Sequence, residues 1–354
     1  MTSGLDDVVG AETVLSHTDR ERGMIWVRGV ALPDLVAQHG YEGTVALLWE
    51  GFAGDGLTRS GIAAELAAAR VAAFDGLGAM LDDVATRPLD EAVRLCLATL
   101  PDDLPPAAII GALSVAVPAL LRVARGEPPL PPDPTLGTAA DLLRMLHGRP
   151  ADPASAAALD TYFTVMAESG LSGSSFTARI IASTRASLVC AAVGAWCAFT
   201  GPLHGGAPGP TLDLLDALAA VDDIDGWIES RLRAGERLMG FGHRVFHGND
   251  PRAEAMRGAL RHMGPAAGRL AFAERVEQRV AAVLARVKPG RALPANVEIA
   301  AALLLDAVGI PREAFTAVFS VSRCAGWLAH AMEQRQNGRM IRPTSRYVGP
   351  VIAV

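Results

Sequence analysis

Apolar residues in this 354-residue chain recur with a helical period almost throughout, and the interruptions are clusters of Gly and Pro. That pattern constrains the fold more than any other feature. A segment whose apolar residues fall at i, i+3 and i+4 buries one face as a helix and scatters them over both faces as a strand. Aromatic residues make up only 5% of the chain and Ala is abundant. Ala loses no side-chain entropy on entering a helix, so composition and period point the same way. The pattern predicts helices near 33–39, 42–50, 58–76, 90–100, 105–125, 154–168, 176–200, 211–219, 224–238, 253–261, 265–287, 297–308 and 313–337. The run Thr138-Ala139-Ala140-Asp141 reads as a variant capping box opening one more. The exception is Gly23-Met24-Ile25-Trp26-Val27-Arg28-Gly29, a small strand or hairpin. There is no βαβ alternation and no glycine-rich phosphate loop after a strand. The expected fold is mainly α with a small N-terminal β element.

The length favours two domains, or one large domain with an appendage. A net charge of −6 with no basic block argues against a nucleic-acid partner. The four cysteines, Cys96, Cys190, Cys197 and Cys324, form no CxxC pair, so neither a disulfide framework nor a zinc site is expected. A reducing cytoplasm suits them. The opening MTSGLDDVVG is acidic and lacks the apolar run of a secretory signal. Residues 107–123 and 188–199 are strongly apolar, but Pro118 interrupts the first and the second is short for a bilayer. Both read as helices buried in the protein, and no membrane partner is expected. Five prolines within residues 126–134 mark an extended connection.

Three of the breaks carry chemistry. The stretch MGFGHRVFHGNDPR (239–252) combines glycines with His243, Arg244, Asp250 and Arg252. Gly240 and Gly242 permit positive φ or close approach to a ligand, and arginines grip carboxylates in a fork. The stretch GPLHGG (201–206) places His204 in a loop after an apolar helix. The stretch PANVE (294–298) brings Glu298 into the first turn of a helix, where the helix dipole favours a carboxylate. A carboxylate can take a proton from carbon beside a carbonyl. One histidine can hydrogen-bond the enolate and another can polarise the electrophile. Arg252, Arg323 and Arg342 can hold a dicarboxylate. The residues alone therefore suggest an enzyme acting on a C–H acid with an anionic co-substrate. A short run of small residues, 169–175, is either a break or a closely packed helix face.

Taken together, GPLHGG, MGFGHRVF…DPRA, PANVE, SVSRCAGWLAHAMEQ and RMIRPTSRYVGP resemble the citrate synthase family in content, order and spacing. The opening GLDDVVGAETVLSHTDRERGMIWVRG is similar to that of the shorter bacterial and archaeal members. The resemblance implies a helical, two-domain homodimer. Its large domain would span 1–205 plus 310–354, and a small domain, 206–309, would close over the site. It implies condensation of acetyl-CoA with oxaloacetate to citrate and CoA, with CoA as the carrier of a co-substrate, no permanently bound cofactor and no metal. His204 then matches the histidine that stabilises the enolate, and His243 the one that polarises the oxaloacetate carbonyl. Arg252 and Arg323 match arginines that bind its carboxylates, and Arg342 the arginine supplied across the dimer interface. Gly240, Gly242 and Arg291 are the expected contacts to the CoA thioester.

Two positions depart from the pattern. The family's base is an Asp, where this chain has Glu298. The segment Ala167-Glu168-Ser169-Gly170-Leu171-Ser172 aligns with one carrying a substrate-binding His, where this chain has Ser169. A hydroxyl is shorter than an imidazole and carries no positive charge. Three readings follow. One is ordinary citrate formation. Another is 2-methylcitrate formation or use of another acyl-CoA and 2-oxoacid pair. The third is an impaired paralogue that binds CoA or a dicarboxylate.

Overall fold

A computed structural model describes residues 8–19, 21–78, 80–205, 208–242, 250–289 and 294–350. Among these the chain is predominantly helical. Three short strands, β1 (Ser16–Asp19), β2 (Met24–Val27) and β3 (Val30–Ala31), form an antiparallel sheet in the order β1-β2-β3. The helices are α1 (Leu32–Gln38), α2 (Gly40–Trp49), α3 (Arg59–Leu77), α4 (Leu81–Ala85), α5 (Leu89–Ala98), α6 (Pro106–Ala124), α7 (Thr138–His147) and α8 (Pro153–Met166). They continue with α9 (Gly173–Ser183), α10 (Leu188–Phe199), α11 (Pro208–Ala219), α12 (Ile224–Arg233), α13 (Pro251–Arg261), α14 (Pro265–Val287), α15 (Val297–Ala307) and α16 (Phe315–Asn337). The mainly α reading and the small β element both hold, although the β element has three strands.

Three local expectations are corrected and one open alternative is decided. Residues 176–200 do not form one helix. The chain breaks after α9, where Arg185 takes φ 69°, and Ser187 caps α10 by accepting from Cys190 N. The capping box at Thr138 does not form. The N-cap is Gly137, and Asp141 turns instead to the buried Arg70, at 2.9 Å. A buried guanidinium outcompetes a local cap for the carboxylate, because an unpaired charge inside the protein is far costlier than an uncapped helix. The helix expected over 224–238 ends at Arg233. The run 169–175 is a break whose last part starts α9, with Ser172 as the cap.

The organising element is α16. Phe315 and every residue from Ala317 to Gln334 are buried, an all-round burial expected only of a central helix. It packs on α2, α5, α6, α8, α9, α10 and α11. Side chains from those neighbours bond its backbone: Tyr41 Oη donates to Val321 O at 2.8 Å, and Trp49 Nε1 to Ala325 O at 3.1 Å. Helix α6 meets the length and apolarity of a membrane span, but it is largely buried among α3, α5, α7 and α16. Helices α11 to α15 pack chiefly on one another, while α13 and α15 also touch α8.

The small residues of α16 set how closely α8 approaches. A Cβ on Gly326 would lie 2.4 Å from Ala167 O and 2.6 Å from Glu168 Oε2. The end of α8, and with it Ser169, is therefore held at a distance that only glycine permits. Replacing Gly326 by Ala should force the two elements apart at a cost of about 1–3 kcal/mol, the usual penalty of overpacking. The measurement is the thermal unfolding midpoint; an unshifted midpoint would show that α8 is not held this tightly.

Candidate active site

The chemistry-bearing breaks converge on one cavity of about 520 Å³, within the size range of small-molecule sites. Its walls come from β1 and β2, the loop after α8, the turn after α10, the starts of α13 and α15, and α16. Ser169, His204, Gly242, Arg252, Glu298 and Arg323 all line it.

Glu298 reaches the cavity because two loops are stitched together. Phe241 and Ala295 form an antiparallel bridge, Gly242 N donates to Pro294 O at 2.8 Å, and Asn296 N to Gly240 O at 2.9 Å. Gly240 and Gly242 both take positive φ, 81° and 89°. A Cβ at 240 would lie 2.6 Å from Thr211 and 2.7 Å from Ile299, so side-chain-free backbone is required there. Asn296 then caps α15, its Oδ1 accepting from Glu298 N at 3.0 Å. Glu298 Oε2 is shut away from solvent with no hydrogen-bond partner among the described residues. Burial pushes the Glu298 carboxyl up to about 7, against the pull of Arg252 and Arg323 and with a smaller push from Asp250. That is the range in which a carboxylate works as a general base near neutral pH.

His204 sits in the turn after α10, its ring edge-on to Phe199 at 5.0 Å. Ser174 N donates to His204 Nε2 at 3.3 Å, and Ser174 Oγ lies 2.8 Å from the same nitrogen. Trp327 Nε1 donates to Ser174 Oγ at 3.0 Å, which leaves the hydroxyl proton for the ring. Nε2 is thus an acceptor. Burial, and then the charge of Arg323, push His204 down to about 4. A neutral imidazole accepting at Nε2 carries its proton on Nδ1, so it can donate one hydrogen bond and no net charge.

Arg323 is 3% exposed. Its Nε donates to Met166 O at 2.7 Å, its Nη2 to Ser169 Oγ at 3.0 Å, and its guanidinium lies over Phe319, 4.9 Å from the centroid. Arg252, at the start of α13, makes a two-pronged contact to Asp250 at 3.0 and 2.6 Å. Asp250 is also the N-cap of that helix.

Not every expected residue is brought in. His243 and Arg291 lie outside the described residues. Arg342 is in an exposed extended tail and does not line the cavity of its own chain. Among the described residues no three His, Cys, Asp or Glu side chains converge to hold a metal. Sequence reasoning missed the Trp327–Ser174–His204 chain and the hairpin residues Ser16 and Thr18 that line one wall. The one signal for the first was a serine-rich break, 172–175, ahead of an apolar helix. Nothing local marks the second.

A family model for the C-terminal domain of citrate synthase matches residues 4–344. The putative citrate synthase 2 of Mycobacterium tuberculosis is 37% identical, over 98% of this chain and 92% of that protein. The structure of citrate synthase from Thermotoga maritima superposes with a TM-score of 0.87 at 26% identity, over 100% of this chain and 97% of that one. A ternary complex of the Thermoplasma acidophilum enzyme with carboxymethyl coenzyme A and oxaloacetate superposes at 0.84 and 22% identity, covering 100% and 97%. This chain belongs to the citrate synthase family.

Proposed function

We propose that the protein condenses acetyl-CoA with oxaloacetate, giving citrate and free CoA. The carrying observation is the pairing, in one cavity, of a Glu298 carboxyl held near 7, its Oε2 without a hydrogen-bond partner among the described residues, with a neutral His204 that accepts at Nε2. Glu298 takes a proton from the methyl carbon of the thioester. His204 Nδ1–H donates to the carbonyl oxygen that becomes the enolate, so negative charge never builds up unsupported. The enolate carbon attacks the keto carbon of oxaloacetate, the C=O electron pair moves to oxygen, and His243 supplies the proton. Water then cleaves the citryl thioester to citrate and CoA.

Arg252 and Arg323 hold the carboxylates of the 2-oxoacid in this reading, and Arg342 completes the site of the opposite protomer of a homodimer. Residues 206–309 act as a small domain closing over the large one, 1–205 plus 310–354. Closure excludes water until the carbon–carbon bond exists. Gly240, Gly242 and Arg291 contact the CoA arm. A second reading is favoured by Ser169. The short, neutral side chain leaves room and removes charge beside Arg323, which suits a larger acyl group or another 2-oxoacid.

A thiol-release assay pairing acetyl- or propionyl-CoA with oxaloacetate and other 2-oxoacids tests both readings. CoA binding without thiol release from any pair would replace them with an impaired, ligand-binding paralogue. With the active pair, Glu298→Gln should lower kcat by about 10²–10⁴-fold, the usual contribution of a general base. The base must be unprotonated, so kcat/KM should climb with pH and level off above about 7. A flat profile through that range would remove Glu298 as the base. Ser174→Ala leaves His204 Nε2 with only the longer bond from the backbone N–H of residue 174 and should cost about tenfold in kcat, since the tautomer is then held less firmly. Ser169→His should lower KM for oxaloacetate; an unchanged KM would mean that residue 169 does not touch it.

A further inference from the structure

A second set of buried polar residues lies behind the cavity, and none of it serves the steps above. Arg179, on α9, is 2% exposed. Its Nε donates to His330 Nδ1 at 2.9 Å, its Nη1 to Gln334 Oε1 at 3.1 Å, and its Nη2 to Glu333. Because Nδ1 of His330 accepts, Nε2 carries the ring proton, and it donates to Glu168 Oε1 at 3.2 Å. That one carboxylate oxygen accepts twice more, from Ser16 Oγ at 2.8 Å and from Gly170 N at 2.6 Å. Glu333 meanwhile accepts from Thr13 Oγ1 at 2.8 Å and Val14 N at 2.9 Å.

The acceptors of this network thus grip two segments of irregular or edge backbone. Glu168 and Glu333 hold the strand lead 13–16, and Glu168 holds the turn at Gly170. Both segments are walls of the cavity: Ser16 and Thr18 on one side, Ser169 to Ser172 on the other. Neither has helix bonds to fix it, and a short sheet edge and a tight turn open readily unless something buried restrains them. The restraint is costly to build, because it buries two carboxylates and a guanidinium away from water. Ordinary packing of α9 on α16 needs none of these charges.

We infer that Arg179, His330 and Glu168 form a positioning relay that fixes the two walls against each other and so sets the geometry around Ser169 and Arg323. Its effect on turnover rests on the condensing function proposed above; its effect on the walls does not. The imidazole of His330 is the link both sides need, as one acceptor and one donor. An amide offers the same pair, whereas Leu fills the space and offers neither.

The test compares His330→Leu and His330→Gln with the wild type by amide hydrogen exchange and by thiol-release kinetics. In His330→Leu, exchange in residues 13–19 and 168–172 should quicken at least about tenfold, while exchange in α6 stays unchanged. KM for the 2-oxoacid should rise by about tenfold, with kcat and KM for the thioester moving far less; a generally loosened fold would instead lower kcat for both substrates alike. His330→Gln should stay within about threefold of wild type in every measurement. Should His330→Leu fail to fold, Ser16→Ala breaks a single rung: it should quicken 13–19 and leave 168–172 as it was. Wild-type exchange in both segments of His330→Leu, or in 13–19 of Ser16→Ala, overturns the relay whether or not the protein turns over. Faster exchange with no detectable turnover retains the relay and defeats the proposed reaction.

Discussion

The site depends on one buried positive charge. Arg323 is taken out of water on a helix that is itself the core of the molecule, and burial pushes it down to about 10. It remains a cation, and its neighbours are arranged around that fact. Two of its five N–H donors go to Met166 O and Ser169 Oγ, and its face lies over the ring of Phe319. The same charge helps keep His204 neutral and tempers the rise of the Glu298 carboxyl. Desolvation alone would drive Glu298 higher and leave it protonated, useless as a base at neutral pH. Desolvation balanced against Arg252 and Arg323 leaves it poised near 7. One guanidinium therefore pulls both groups toward their deprotonated forms, a neutral imidazole and an ionised carboxylate, and both effects favour proton abstraction next to a carbonyl.

Local rules placed some of the site and could not place the rest. The helical character, the two glycine loops and the helix-start position of Glu298 follow from period and capping, which act within a few residues. The sequence spacing alone does not show that 240–242 bonds to 294–296; that ladder joins segments more than fifty residues apart and exists only once α11 and α15 have packed. Arg185 illustrates the opposite failure. A continuous apolar period through 176–200 hides a break, because the residues on either side of it pack on common neighbours, and the left-handed residue that turns the chain is not a glycine. Thr138 shows tertiary structure overriding a local motif: Asp141 has a better partner 71 residues away. The partners of His204 were invisible for the same reason, since Trp327 and Ser174 meet only where α16 crosses α9.

Glu298 and Ser169, the two positions at which the chain departs from its family's pattern, face the same cavity and are both coupled to Arg323. Their effects are separable. Lengthening the base by one methylene moves a carboxylate without changing its charge, and the capped first turn of α15 still decides where its backbone begins. Misplacement by an ångström is expensive at a reacting carbon, so a Glu is workable only if the thioester arm or the cavity wall has moved with it. Ser169 changes something else. It removes a group able to hold positive charge and substitutes a hydroxyl that already accepts from Arg323. Part of the guanidinium's donor capacity is thereby turned toward the protein and away from a bound carboxylate. In the proposed reaction this leaves the acid–base pair intact while the anion-binding side weakens and widens. In the proposed reaction the identity of the 2-oxoacid is accordingly set by the wall that carries Ser169, and the reaction class by Glu298 and His204.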